Sequence, residues 1–221
     1  MVDRVWVVVR PPAAGTSPRM ENFYLIVGLG NPGAEYAKTR HNAGFTVVER
    51  LAERWQARWR LDQKFNSRVA KAERQSRRLL LCEPQTYMNQ SGEAVAKLAE
   101  YFRAPPDRLL VVVDDADLPL GEIRLRPQGA SGGHHGLESI ERHLGSRQYA
   151  RLRIGIGREK SAAREITRHV LGRFSASETA VMEMVFDRAT DQIECWLSEG
   201  IGKAMSQFNG AVRSSQREDT S

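Results

Sequence analysis

A small set of polar residues in this 221-residue chain has the makings of a site that turns water on a carbonyl. His41 in TRHNAG is an isolated imidazole, Asp114, Asp115 and Asp117 crowd together in VVVDDADLPLG, and Asn31 in GLGNPG and Asn89 in PQTYMNQSG offer amides. A neutral imidazole can take a proton from water. A carboxylate can orient the ring and stabilise the imidazolium, while amide N–H groups hold an oxygen as charge develops on it. No serine or cysteine stands in a nucleophile pattern of the usual kind, so hydrolysis by water is the chemistry this set suits. Each residue also has a plain structural reading. His41 could border the helix that opens at NAGF, Asn89 and Ser91 could cap the helix after them, and Asp114 to Asp117 could end a strand in a turn with Pro119 and Gly121. The neighbouring His134 and His135 raise the question of a metal, but no second cluster of His, Cys or Glu completes a site, and no metal is expected.

GLGNPG, residues 28 to 33, follows the apolar run FYLIV and has the spacing of a dinucleotide-binding fingerprint. In that fold the third glycine already lies in a helix, and an acidic residue about 20 positions on ends the next strand. Here Gly33 is followed by AEYAKTRHNAG, which lacks an apolar stripe, and Glu49 and Glu53 both fall inside a helical pattern. The glycines therefore read as a strand-end turn in which Pro32 fixes φ, Gly33 permits a positive φ and Asn31 is presented. No cofactor is expected.

These residues need a scaffold that brings strand ends together. Strand-like runs occur at 23–27, 78–83, 108–115, 122–126 and 151–157, with a weaker one at 67–73. Between them GFTVVERLAERWQARW, SGEAVAKLAEYF and GLESIERHLG have helical spacing, and residues 177–208 read as one long C-terminal helix. The alternation predicts a single α/β domain with a mixed, mostly parallel sheet and helices on both faces. In such sheets ligands bind beyond the carboxyl ends of the strands, which is where Asn31, Asn89, the cluster Asp114, Asp115 and Asp117, and the loop GASGGHHGLE fall. The predicted organisation is an N-terminal extension over 1–19 without periodicity, a domain over 20–208 and a polar, frayed tail over 209–221.

The formal charge of +6 fits an anionic partner such as nucleic acid. Cys82 and Cys195 are far apart in sequence and neither sits in a C-x-x-C pair, which disfavours a zinc ribbon or redox motif and fits reduced thiols in the cytosol. No apolar stretch approaches the length needed to span a bilayer, and the apolar run near the N-terminus is too short for a secretory signal. The residues alone stop at a hydrolase-like or nucleotide-binding α/β enzyme.

Taken in order, YLIVGLGNPGAEYAKTRHNAGF, KFNSRVA, EPQTYMNQSGEAV, VVVDDADLPLGEIRLRPQGASGGHHGLESI, RLRIGIGR and HVLGRFS resemble the motifs of bacterial peptidyl-tRNA hydrolases, over roughly residues 23–205. The resemblance implies that the chain cleaves the ester joining a peptide to the terminal ribose of tRNA, recycling tRNA from peptides that leave the ribosome early. It implies His41 as the general base with Asp114 as its orienting carboxylate, and Asn31 and Asn89 holding the peptide and the attacked ester. Tyr36, Tyr87 and His135 join them as substrate contacts, and Arg126 and Arg153 match basic positions that contact the tRNA backbone. It also implies a cytoplasmic monomer with no cofactor, no membrane association and no obligate protein partner.

One position departs from the family pattern. Where the family usually has GHNG this chain has GHHG, so His135 replaces an asparagine held to bind the peptide side of the substrate. An imidazole offers one donor or acceptor per nitrogen and lacks the amide's fork. The departure keeps open a second class, a relative that binds RNA without hydrolysis, as organellar splicing factors of the same fold do. The His41, Asp114, Asn31 and Asn89 set favours the enzyme.

Overall fold

Residues 22–157 and 163–212 are described by the structure, a computed structural model, so the predicted extension over 1–19 lies outside the described residues. In chain order the elements are β1 (Phe23–Gly28), α1 (Ala43–Arg54), β2 (Trp59–Asp62), β3 (Ser67–Arg74), β4 (Arg77–Pro84), α2 (Ser91–Phe102) and β5 (Leu109–Asp115). They continue with β6 (Glu122–Arg126), α3 (His135–Leu144), β7 (Ala150–Gly155), α4 (Ala163–Val170), α5 (Ala176–Glu199), α6 (Ile201–Phe208) and β8 (Gly210–Ala211). The strands form one sheet in the order β2-β3-β4-β1-β5-β7-β6-β8. Its four central strands, β4, β1, β5 and β7, run parallel, and the flanks pair antiparallel. The mostly parallel sheet predicted from the alternation is thus parallel at its centre only.

The continuous apolar runs become central strands because each strand must bury both of its faces. Leu25, Val27, Leu109, Val111 and Val113 pack on one side with Val95 and Leu98 of α2 and Leu137 and Ile140 of α3. Ile26, Leu110 and Val112 point the other way, into a layer built by α1, α5 and α6. This alternation carries past the last apolar residue of β5. Asp114 continues the α1 side and Asp115 the opposite side, so two adjacent carboxylates leave the strand in opposite directions.

Two glycines set where α1 begins. A Cβ on Gly28 would lie 2.3 Å from the carbonyl oxygen of Gly44, and one on Gly44 would lie 2.3 Å from that of Val112. Without side chains there, the first turn of α1 settles directly onto the ends of β1 and β5. The 3-10 turn Arg40–Asn42, which leads into α1, is thereby carried over the carboxyl end of β5.

Several elements differ from the predicted pattern. β2 pairs with the edge of β3, and its WRLD sequence has too weak a period to announce a strand. The first helix ends at Arg54 instead of running on through Trp59. The long C-terminal helix breaks at Gly200, whose φ of +88° lies outside the helical region, and α6 resumes at Ile201. At the start of the tail predicted over 209–221, β8 pairs with β6, and residues 213–221 lie outside the described residues. The polar α4 was not foreseen. No helix among the described residues is long and apolar enough to cross a membrane.

Candidate active site

At the carboxyl end of the central strands, Asp114 is 2% exposed and accepts two imidazole N–H bonds on one oxygen. Nδ1 of His41 donates to its Oδ1 at 2.8 Å. Nε2 of His134 donates to the same oxygen at 3.1 Å. The tautomer of His134 follows from its second nitrogen. Nδ1 accepts the backbone N–H groups of Gly136 (3.1 Å) and Leu137 (3.3 Å), so it bears no hydrogen and the ring's proton sits on Nε2, facing Asp114. His134 is thus the N-cap of α3 and a brace for the carboxylate at once.

The same logic leaves Nε2 of His41 as the lone-pair nitrogen, on the far side of the ring from Asp114. Burial disfavours the imidazolium of His41, but the charge of Asp114 and its hydrogen bond outweigh burial and raise the His41 pKa above 6.5. Burial pushes Asp114 upward, and the charge of His41 with the hydrogen bonds from both rings overcomes it, so this carboxyl titrates well below the usual range. The result is an ionised carboxylate beside a ring poised to gain a proton. The three groups lie within 4.8 Å of one another and are the kinds a metal ion takes, yet an ion there would have to displace both N–H donors from Asp114.

Asn31 is held from two directions. Its backbone N–H donates to Oδ1 of Asn42 (2.9 Å) and its carbonyl accepts from Nδ2 of Asn42 (3.0 Å), while its own Oδ1 accepts the backbone N–H of Met88 (2.8 Å). With the oxygen occupied, the amide presents Nδ2 as a donor. Gly33, at φ +115°, turns the chain back as the sequence predicted. The Met88 bond joins this turn to the one that follows β4, where Tyr87 is 61% exposed and Asn89 is exposed beside it. Tyr36 lies half-buried in the turn leading to His41.

Asp115, not Asp114, holds the turn after β5. Its Oδ1 accepts the N–H groups of Asp117 (2.9 Å) and Leu118 (3.2 Å), and its Oδ2 receives Nη1 of Arg153 (3.0 Å). Arg153 is 14% exposed and also donates from Nη2 to the carbonyls of Ala130 (2.9 Å) and Ser131 (2.8 Å). The almost fully buried Arg151 donates to the Ala130 carbonyl as well (2.9 Å). Two arginines of β7 therefore clamp the loop that delivers His134. Arg126, in register with Arg151 on β6, is exposed.

His135, the departure from the family pattern, opens α3 with Nδ1 3.1 Å from Oε2 of Glu138 and its side chain 74% exposed. Two residues that the sequence reading left unassigned stand closer to the chemistry. His134 was visible only as half of a histidine pair. Asn42, whose side chain pins Asn31, follows His41 directly, and that adjacency was its one signal.

The sequence matches the profile of the family described as peptidyl-tRNA hydrolase over residues 25–218. This chain belongs to the peptidyl-tRNA hydrolase family. It is 48% identical over 185 residues to the peptidyl-tRNA hydrolase of Gloeobacter violaceus, covering 84% of this chain and 93% of that one. It is 47% identical to that of a Synechococcus strain over 192 residues, or 87% and 85% of the two chains. Among solved structures, the peptidyl-tRNA hydrolase of Acinetobacter baumannii superposes with a TM-score of 0.82 at 38% identity, covering 89% of this chain and 98% of that one. Asn89 and Ser91 are not the N-cap of α2, while His41, which borders α1, also has a partner. His41 points at Asp114, and the N-cap of α2 is Gln90, with no side-chain capping bond.

Proposed function

We propose that this chain hydrolyses the ester between the peptide and the terminal ribose of peptidyl-tRNA, with His41 as the general base. The observation that carries this reading is the 2.8 Å contact between Nδ1 of His41 and the buried Asp114 carboxylate, which holds the proton of the neutral ring on Nδ1 and leaves Nε2 for water. Nε2 takes a proton as the water oxygen attacks the ester carbonyl. Asp114 stabilises the imidazolium that results. Nδ2 of Asn31 supports the oxygen on which charge develops, and Asn89, Tyr36, Tyr87 and His135 line the approach of the peptide. Collapse of the intermediate breaks the bond to the ribose oxygen, which recovers the proton from His41, giving a free peptide acid and free tRNA.

Arg126 meets backbone phosphate from an exposed face of β6, by charge and not by base identity. Arg153 spends both Nη2 hydrogens on loop carbonyls, so its phosphate contact falls to Nε and the remaining Nη1 hydrogen. We take the enzyme as a cytoplasmic monomer that needs no cofactor; both cysteines are free thiols buried in the fold. The test is cleavage of an N-blocked aminoacyl-tRNA. The wild-type chain should release the acyl amino acid, and His41→Ala should lose about 10²- to 10⁴-fold in rate while still binding tRNA. Wild-type turnover by the variant would remove His41 from the mechanism, and an inactive wild-type chain that still binds tRNA would favour RNA binding without hydrolysis.

A further inference from the structure

Asp114 and His134 hold the ring of His41, but its backbone turn is moored from a distant part of the chain. Thr39 forms an isolated antiparallel bridge with Arg173, and the backbone N–H of Arg40 donates to the carbonyl of Gly172 (2.9 Å). The Arg40 guanidinium then grips the same segment. Nη1 donates to the carbonyl of Arg173 (2.6 Å), Nη2 donates to both oxygens of Glu178 (3.1 and 2.8 Å), and the group lies 5.1 Å over the ring of Phe174. All these contacts fall between residues 172 and 178, the connection from α4 into α5 and the first turn of α5. The Arg40 side chain is 12% exposed and adjoins the base in sequence.

We propose that Arg40 is a positioning residue that couples the α4–α5 connection to His41, so that the placement of the base over its water depends on the seat of residues 172–178. The inference rests on His41 being the base. Glu178 makes the coupling stiff because it has a second task. Its carboxylate accepts the N–H of Ser175 (2.7 Å) and its own N–H donates to Ser175 Oγ (3.3 Å), closing the capping box that starts α5. The first turn of a 24-residue helix thereby anchors the fork of Arg40. A guanidinium is suited to this because its planar fork meets a carboxylate and a carbonyl together; a lysine ammonium reaches them only as a point charge. α4 also packs on the turn Arg40–Asn42, so peptidyl-tRNA that presses on α4 or its exit bears on the base through this mooring.

The experiment compares Arg40→Met, Arg40→Lys, Glu178→Gln and Ser175→Ala by single-turnover cleavage of an N-blocked aminoacyl-tRNA, by affinity for deacylated tRNA and by melting temperature. Because misplacing a reacting group by about 1 Å can cost on the order of 10²-fold, Arg40→Met should slow cleavage about 10- to 100-fold with tRNA affinity unchanged. Arg40→Lys should recover part of the loss, and Glu178→Gln, which keeps one acceptor, should fall between. Ser175→Ala loosens the capping box behind Glu178 but leaves the fork of Arg40 in place, and should slow cleavage by less than Arg40→Met. In a His41→Ala background the Arg40→Met effect should vanish, since the positioned group is gone. Cleavage by Arg40→Met at the wild-type rate overturns the proposal, as does an equal slowing in Ser175→Ala, an equal slowing in the His41→Ala background, or an effect confined to tRNA affinity. If His41→Ala alone cleaves normally, the assignment of the base fails instead, which the same assay reads separately.

Discussion

At the scale of single residues, one carboxylate oxygen organises the site. Asp114 Oδ1 receives both His41 and His134, and which atom of each ring carries hydrogen is fixed by what the other nitrogen touches. His134→Asn separates its two duties. Asparagine is a good N-cap and can still accept from the start of α3, but it is too short to keep the bond to Asp114. A hydrogen bond to a charged group contributes about 1.5–3 kcal/mol, so cleavage should slow by about tenfold or more while the melting temperature stays near that of the wild type. An unchanged rate would show that His134 serves the helix alone. The types and places of His41, Asn31, Asn89 and the Asp114, Asp115 and Asp117 cluster offered them as candidates, and only the family resemblance singled out Asp114. His134 was given no role, and His135 one only through the resemblance. Adjacent imidazoles look alike in a string, and only the entry angle of α3 sends one to Asp114 and the other out to Glu138. Asn42 stayed hidden for a similar reason, since its bonds to Asn31 arise only when the turn after β1 folds back beside α1.

At the scale of elements, the site depends on how closely α1 approaches the sheet. Gly28→Ala places a methyl group 2.3 Å from the Gly44 carbonyl oxygen and 2.7 Å from Val48 Cγ2, neither of which can retreat without lifting α1. Overpacking of this kind costs typically about 1–3 kcal/mol. The variant should melt several degrees lower, and its cleavage rate below the melting range should fall as well, because the turn carrying His41 moves with α1. A fully active variant of normal stability would show that the close approach is incidental. The central strands were readable because runs such as LLVVV can be buried only between two layers. What escaped were the elements that lack such a signal. β2 and β8 are short edge strands, α4 is polar, and the helix break at Gly200 is a single residue inside an otherwise helical pattern.

At the scale of the whole molecule, α5 is laced to α1 by exposed ion pairs, Arg50 with Glu183 and Asp187 and Arg54 with Asp191 and Glu194, each of which contributes little alone. A larger pH-dependent contribution lies on β4. Glu83 is fully buried, and burial raises its pKa to about 8, with Glu49 adding to the shift and Arg68 (2.8 Å) opposing it. The unfolded chain ionises this group near its ordinary value of 4.5 and the folded chain near 8, so folding stability falls as pH rises through that window and levels off above it. Glu83→Gln removes the titration and should stabilise the protein at pH 8 by on the order of 2 kcal/mol, or about 4–8 °C in melting temperature, with a smaller gain at pH 5. An equal change at both pH values would mean that Glu83 is ionised in the fold. Catalysis has the opposite pH dependence, since His41 works as a base only when neutral and Asp114 raises its pKa. The most direct test is the pH profile of kcat/KM on an N-blocked aminoacyl-tRNA for the wild type and for Asp114→Asn. The wild type should lose activity as pH falls through a pKa above 6.5. In Asp114→Asn the rate should drop and the acid limb should move to lower pH, because the charge that stabilised the imidazolium is gone. A wild-type profile with no acid limb near neutrality, or a limb left unmoved by Asp114→Asn, would contradict the pairing of His41 with Asp114 as the working base.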